Sequence, residues 1–167
     1  MKVFALGLLV ASAAFAQKIQ IEFDQAMDFE GFKTFAILSG RLNSKNPALN
    51  SELVRKQINL DIERDLSAKG LTLAPAGSSD LNIRYTMGTV RKSQLETYPA
   101  GWRGWGTAVV RVPYTEGTLV IDLHDARTHA LVWRAIASQE KSDPSKIQGK
   151  LDDMVRKSLD KYPPKPK

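Results

Sequence analysis

The chain contains no cysteine in its 167 residues. That absence excludes disulfides, thiolate metal sites and a cysteine nucleophile, and with them a lipid attached to an N-terminal cysteine. Histidine occurs only twice, at His124 and His129, which leaves little for imidazole chemistry. No Gly-x-Ser-x-Gly elbow, phosphate loop, His-Glu-x-x-His pair or dinucleotide fingerprint is present. After the N-terminus, no apolar run reaches the roughly 20 residues a membrane-spanning helix needs. These absences point to a protein without cofactor, metal or catalytic residues, and not membrane-spanning.

What is there begins with a leader. Met1-Lys2 is followed by apolar Val3 to Val10 and then by small residues ending Ala14-Phe15-Ala16. A positive start, a short apolar core and an Ala-x-Ala ending read as a secretory signal peptide over residues 1–16, cleaved before Gln17. The expected location is periplasmic or secreted. Residues 17–161 have the length of one domain, burying about 70% of the surface of the unfolded chain. Residues 162–167, Tyr-Pro-Pro-Lys-Pro-Lys, cannot continue a helix and read as an extended tail. The formal net charge is +6 and becomes +5 when Lys2 leaves with the leader. Such a charge favours anionic partners. The basic pairs Arg55-Lys56, Arg91-Lys92 and Arg156-Lys157 are separated by acids, however, and export argues against nucleic acid. The expected partner is an envelope ligand: an anionic lipid, a glycan or a protein.

Alternation of apolar and polar residues gives the strands. Lys18 to Phe23 and Phe32 to Leu38 read as the first two, and residues 39–50, with Gly40 and Asn46-Pro47, as a loop. Leu53, Val54, Ile58, Ile62 and Leu66 recur at helical steps, giving a helix over 51–69 capped by Asn50 or Ser51 and closed at Lys69-Gly70. Leu71 to Ala74 is a short strand. Asp80 to Val90, Thr107 to Tyr114, Gly117 to His124 and Ala130 to Gln139 follow as strands. A final helix runs from Pro144 to Asp160, capped by Asp143, with Ile147, Leu151, Met154, Val155 and Leu159 as its stripe. The expected fold is α+β: an antiparallel β-sheet of about five to six strands with two helices packed on one face.

Tyr114-Thr-Glu-Gly-Thr-Leu-Val-Ile-Asp-Leu123, Asp125-Ala-Arg-Thr and Leu131-Val-Trp-Arg-Ala135 together resemble the signature of the domain-of-unknown-function 4136 family. Asp28-Phe29 through Phe32-Lys-Thr-Phe-Ala36, Lys69-Gly70-Leu71, Ser79-Asp-Leu-Asn-Ile83 and the loop Gly101-Trp-Arg-Gly-Trp-Gly106 are similar to its other parts, in order and over nearly the whole mature chain. The resemblance implies an exported bacterial domain without assigned activity. Many such proteins are lipoproteins. This chain departs in lacking the anchoring cysteine, and no catalytic residues carry over.

Three groups of residues are candidate sites. Asp122 and His124 share a strand face and His129 lies in the next turn, a set that offers oxygen and nitrogen metal ligands. The plainer reading, a polar face plus a turn residue, is preferred, because the spacing shows no converging geometry. If Leu123 pairs with Trp133, then Asp122 faces Arg134 as a cross-strand ion pair and Arg127-Thr128-His129 is the loop. Arg84, Arg111 and Arg134 are read on the sheet face away from the core, where guanidinium groups suit an anionic head group or polymer, against the plainer reading of a solvated face. The loop with Trp102, Arg103 and Trp105 combines glycine with aromatics and arginine, which anchor interfaces, stack on sugars or dip into a membrane surface, against the plainer reading of rings folded over the sheet edge. Asp152-Asp153 is read as solvation of the last helix. The leading expectation is a non-enzymatic envelope-binding domain. The alternatives are a hydrolase using acidic residues and His124, and a structural subunit of an envelope assembly.

Overall fold

A computed structural model describes residues 17–100, 106–141 and 145–165. Six strands form one sheet: β1 (Lys18–Phe23), β2 (Thr34–Asn43), β3 (Thr72–Leu73), β4 (Leu81–Ala100), β5 (Gly106–Asp125) and β6 (Leu131–Lys141). Their order across the sheet is β1-β6-β5-β4-β2-β3. Three helices accompany them: α1 (Glu52–Ser67), α2 (Ser145–Gln148) and α3 (Leu151–Leu159). The α+β reading holds, and most strand pairs are antiparallel. Strand β2, however, runs parallel to both β3 and β4. The reason is α1, which carries the chain back between β2 and β4 as a crossover helix.

Alternation builds the core. Leu81, Ile83, Tyr85 and Met87 of β4, Leu119, Ile121 and Leu123 of β5, and Trp133, Ala135 and Ala137 of β6 are buried on the helix-bearing face. Val54, Ile58, Ile62 and Leu66 of α1 and Leu151, Met154, Val155 and Leu159 of α3 cover them. Leu53 is not part of that stripe: it is 77% exposed, being one position off the buried row. Asp61 takes an inward place instead. Its carboxylate accepts hydrogen bonds from Gln57 Nε2 at 3.0 Å and Arg64 Nη1 at 3.0 Å, while burial pushes its pKa up. Arg64 also reaches Asp65 at 2.8 Å and Asp152 at 2.7 Å, so Asp152 ties α3 to α1 rather than merely solvating the last helix.

Several boundaries differ from the pattern-based expectation, each for a local reason. Strand β2 extends through residues 39–43, read as loop because of Gly40. That glycine is required by packing: a Cβ there would lie 2.1 Å from Tyr85 Cζ. Tyr85 lies over it and donates its hydroxyl to Asn59 Oδ1 at 2.7 Å; burial pushes the phenol up to about 12. The two strands expected over 107–114 and 117–124 are one, β5. Pro113 sits where β5 has run past the end of β6 and is an edge strand, which tolerates proline. The last helix is interrupted at Gly149-Lys150, glycine being a weak helix former; its expected cap, Asp143-Pro144, lies outside the described residues. Tyr162, assigned to the tail, is buried and packs edge-on against Trp133 and Phe29, with ring centroids 5.8 and 5.9 Å apart.

Asp80 locks the start of β4 to β2. Its Oδ2 accepts from Lys33 N at 2.9 Å, Thr34 N at 2.8 Å and Thr34 Oγ1 at 2.8 Å, and these donors hold its pKa below the usual carboxylate value. Because the folded value is depressed, its stabilisation is present at neutral pH and lost as pH falls below the unfolded value of about 4. Asp80→Asn is expected to lower stability at pH 7 and to shrink the gap to wild type at pH 3, measured by urea unfolding at both pH values. Gly40→Ala is expected to cost about 1–3 kcal/mol in the same assay, the usual penalty of overpacking.

Candidate functional site

Strands β4 and β5 pair over twenty residues each, from Leu81↔Asp125 to Ala100↔Gly106. The rest of the sheet ends earlier. Strand β2 last pairs β4 at Asn43↔Gly88, and β6 last pairs β5 at Thr115↔Lys141. From Lys92↔Tyr114 onward, nine residue pairs therefore form a two-stranded ribbon with no other described strand beside it. At about 3.3 Å per residue it reaches roughly 30 Å beyond the sheet. Between Met87 and Leu119 no apolar side chain described is buried. Instead Val90 (58%), Leu95 (67%) and Val109 (64%) are exposed. Trp102, Arg103 and Trp105 follow the described part of this ribbon and lie outside the described residues.

The outer sheet face carries a row of alternating charge. The register sets Glu22 beside Arg134, Arg134 beside Asp122, and Asp122 beside Arg84. The expected ion pair is present and bidentate: Arg134 Nε donates to Asp122 Oδ1 at 2.6 Å and Nη2 to Oδ2 at 2.9 Å. The Asp122 carboxylate raises the pKa of Arg134. The pairing Leu123↔Trp133 also holds. Beyond it the register slips, His124 pairing with Leu131, so Val132 bulges inward beside Trp133 and both are buried. The turn is closed by Asp125 Oδ1, which accepts from Arg127 N at 2.7 Å and Thr128 N at 3.1 Å.

Two candidate groupings change on this geometry. Arg84 and Arg134 flank Asp122 on the outer face, but Arg111 does not join them. It precedes Asp122 by eleven residues on one uninterrupted strand, so it lies roughly 35 Å away and on the opposite face. The expectation had treated its strand as separate, which hid the change of face. Arg134 is also taken by Asp122 and is not free for a ligand. Asp122 and His124 share a face, but Asp122 faces arginine, and His124 Nδ1 has no hydrogen-bond partner. His129 sits in the turn with φ 61°.

Pattern reading missed a cleft. Where β2 ends and β4 runs on, the chain turns away at Ser44 and leaves a notch of about 790 Å³ against the ribbon's root. Asn43, Lys45, Asn46, Thr89, Arg91 and Thr115 line it. Ser44 and Thr89 hold the loop to β4 through a 2.8 Å hydroxyl contact, and Asn46 Oδ1 caps the following turn from Ala48 N at 2.9 Å. Among the described residues, no acid lines the notch. Acids near the root are turned elsewhere: Glu116 pairs with Lys92 at 2.8 Å. No local signal could have found this site, since its residues come from three separated segments.

The profile of the family described as Domain of unknown function (DUF4136) matches residues 19–164. The chain belongs to the DUF4136 family. A solved DUF4136 protein from Bacteroides thetaiotaomicron shares the fold at TM-score 0.60 with 17% identity, over 88% of this chain and 96% of that one. A PDZ domain protein from Parabacteroides distasonis matches at TM-score 0.59 and 16% identity, over 89% of this chain; the DUF4136 chain spans only 36% of that protein. A PelC dodecamer from Paraburkholderia phytofirmans matches at TM-score 0.51 and 14% identity, over 86% and 95%. At these identities the likeness is one of fold. No curated protein matches the sequence. Among the described residues, no helix is long and apolar enough to cross a membrane.

Asp122→Ala is expected to lower stability by about 1 kcal/mol. A double-mutant cycle with Arg134→Ala should return a coupling of that order, shrinking at high salt.

Proposed function

We propose that this DUF4136 protein is an exported cell-envelope domain that acts by binding rather than catalysis, with the β4–β5 ribbon as its docking arm. The observation that carries this reading is the ribbon itself. Nine residue pairs stand clear of the other described strands, bury no described apolar side chain and display Leu95 and Val109. A two-stranded ribbon alone is marginal in water, and its open strand edges are ready to pair with another chain. A surface of that kind suits a partner that covers it. The leader Met1–Ala16 supports export. Strand β1 begins at Lys18, the second residue of the mature chain expected after cleavage. The assembly of PelC as a dodecamer makes a second copy the first partner to test.

The test uses the mature chain beside a variant in which Leu95–Arg111 is replaced by Asn-Gly, joining Gln94 to Val112, which face each other in the ladder. Light scattering gives the mass of the purified proteins, and cross-linking in envelope extracts gives the native complexes. The shortened variant is expected to keep its melting temperature within a few degrees, because none of the described apolar residues it removes is buried, and to lose the complexes wild type forms. Identical complexes in both proteins would show that the arm is not the docking element.

A further inference from the structure

The notch at the ribbon's root is a separate site. Its volume of about 790 Å³ lies within the range of small-molecule sites, roughly 300–1,000 Å³. Lys45 and Arg91 bring two positive charges to it, and neither makes an ion pair among the described residues. Other cations are held by acids, Arg64 by Asp61, Asp65 and Asp152, Lys92 by Glu116 and Arg134 by Asp122, and so are committed within the fold. Lys45 and Arg91 are not committed in this way, and they share a concavity whose described lining holds no carboxylate. The rest of the lining is neutral and polar. Asn43 carries a side-chain amide, and Asn46 has its Nδ2 donors left once Oδ1 has capped the Ala48 amide. Pro47 and Val90 supply a small apolar flank. Charge for an oxyanion, amides for hydroxyls and an apolar strip for a ring face are the elements that recognise an acidic sugar.

We propose that this notch binds a sugar carrying one oxyanion group, a carboxylate or a phosphate, with Lys45 and Arg91 on the anion and the Asn43 and Asn46 amides on ring hydroxyls. The site goes beyond the docking reading and does not depend on it, since every lining residue remains in the ribbon-shortened protein.

The experiment is calorimetric titration of the mature protein at low salt with four probes: a glucuronic acid oligosaccharide, glucose 6-phosphate, inorganic phosphate and a neutral glucose oligosaccharide. Tighter binding of either acidic sugar than of the neutral one is expected, and the better of the two identifies the anion. Lys45→Gln/Arg91→Gln is expected to weaken that binding at least tenfold. Arg84→Gln, on the outer face, and the ribbon-shortened protein are expected to leave it unchanged. Both notch side chains are exposed, so the double variant should melt with wild type, which separates lost binding from lost fold. Equal binding of acidic and neutral sugars, no binding of either acidic sugar, or full binding by the double variant would overturn the site. Inorganic phosphate binding as tightly as glucose 6-phosphate would overturn its assignment to a sugar. Loss of the envelope complexes with sugar binding intact, or the reverse, distinguishes failure of this site from failure of the docking arm.

Discussion

The antiparallel ladder between β4 and β5 carries two different structures on one continuous set of hydrogen bonds. Over its first part, Leu81 to Met87 and Leu119 to Leu123 put their odd-numbered side chains under the helices and supply the centre of the core. Over its second part the same ladder continues without a register break, but its neighbours stop. Strand β2 turns away at Asn43 and β6 ends at Lys141. The ribbon is thus held by its root: the sheet fixes the twist and pairing of β4 and β5, and the ladder carries that order outward into water.

Everything placed around the ladder closes the core from one side. Helix α1 makes the crossover that sets β2 parallel to β4, and α3 lies beside it, joined through Arg64 and Asp152. Ile147 packs so closely on Gly117 that a Cβ there would lie 2.6 Å from Ile147 Cγ2. Tyr162 folds back against Trp133 and Phe29. No described helix covers the opposite face, and there the charges Glu22, Arg134, Asp122 and Arg84 alternate across four strands. Such a row favours one register, because a slip along any strand would set like charges opposite each other or pull apolar side chains out of the core.

The notch and the ribbon follow from the same mismatch of strand lengths. A sheet whose strands end together would have neither. Because β4 outruns β2, the loop after Asn43 has to leave the sheet beside a strand that continues. The space between them is lined by whatever the loop and the strand present there, in this chain Lys45 and Arg91. Arg91 belongs to a basic dipeptide whose second member, Lys92, points to the other face and is paired with Glu116. Adjacent residues of one strand thus have opposite electrostatic fates, decided by alternation alone.

Local pattern was enough for the α+β class, the α1 helix, the Leu123–Trp133 register and the Asp122–Arg134 pair. All of these rest on periodicity within one segment, or on a hairpin short enough for its register to be counted. Tertiary structure decided the rest. The parallel placement of β2 depends on which way α1 crosses. The unity of β5 depends on β6 ending near Pro113, which turns an apparent breaker into an edge residue. The face of Arg111 depends on that unity, because one uninterrupted strand fixes side-chain direction by parity over its whole length. The outward place of Leu53 and the inward place of Asp61 depend on the angle at which α1 lies on the sheet. The notch joins residues 43–47, 89–91 and 115, and contact between segments so far apart in the chain is set by strand pairing, which leaves no trace in the spacing of any one of them.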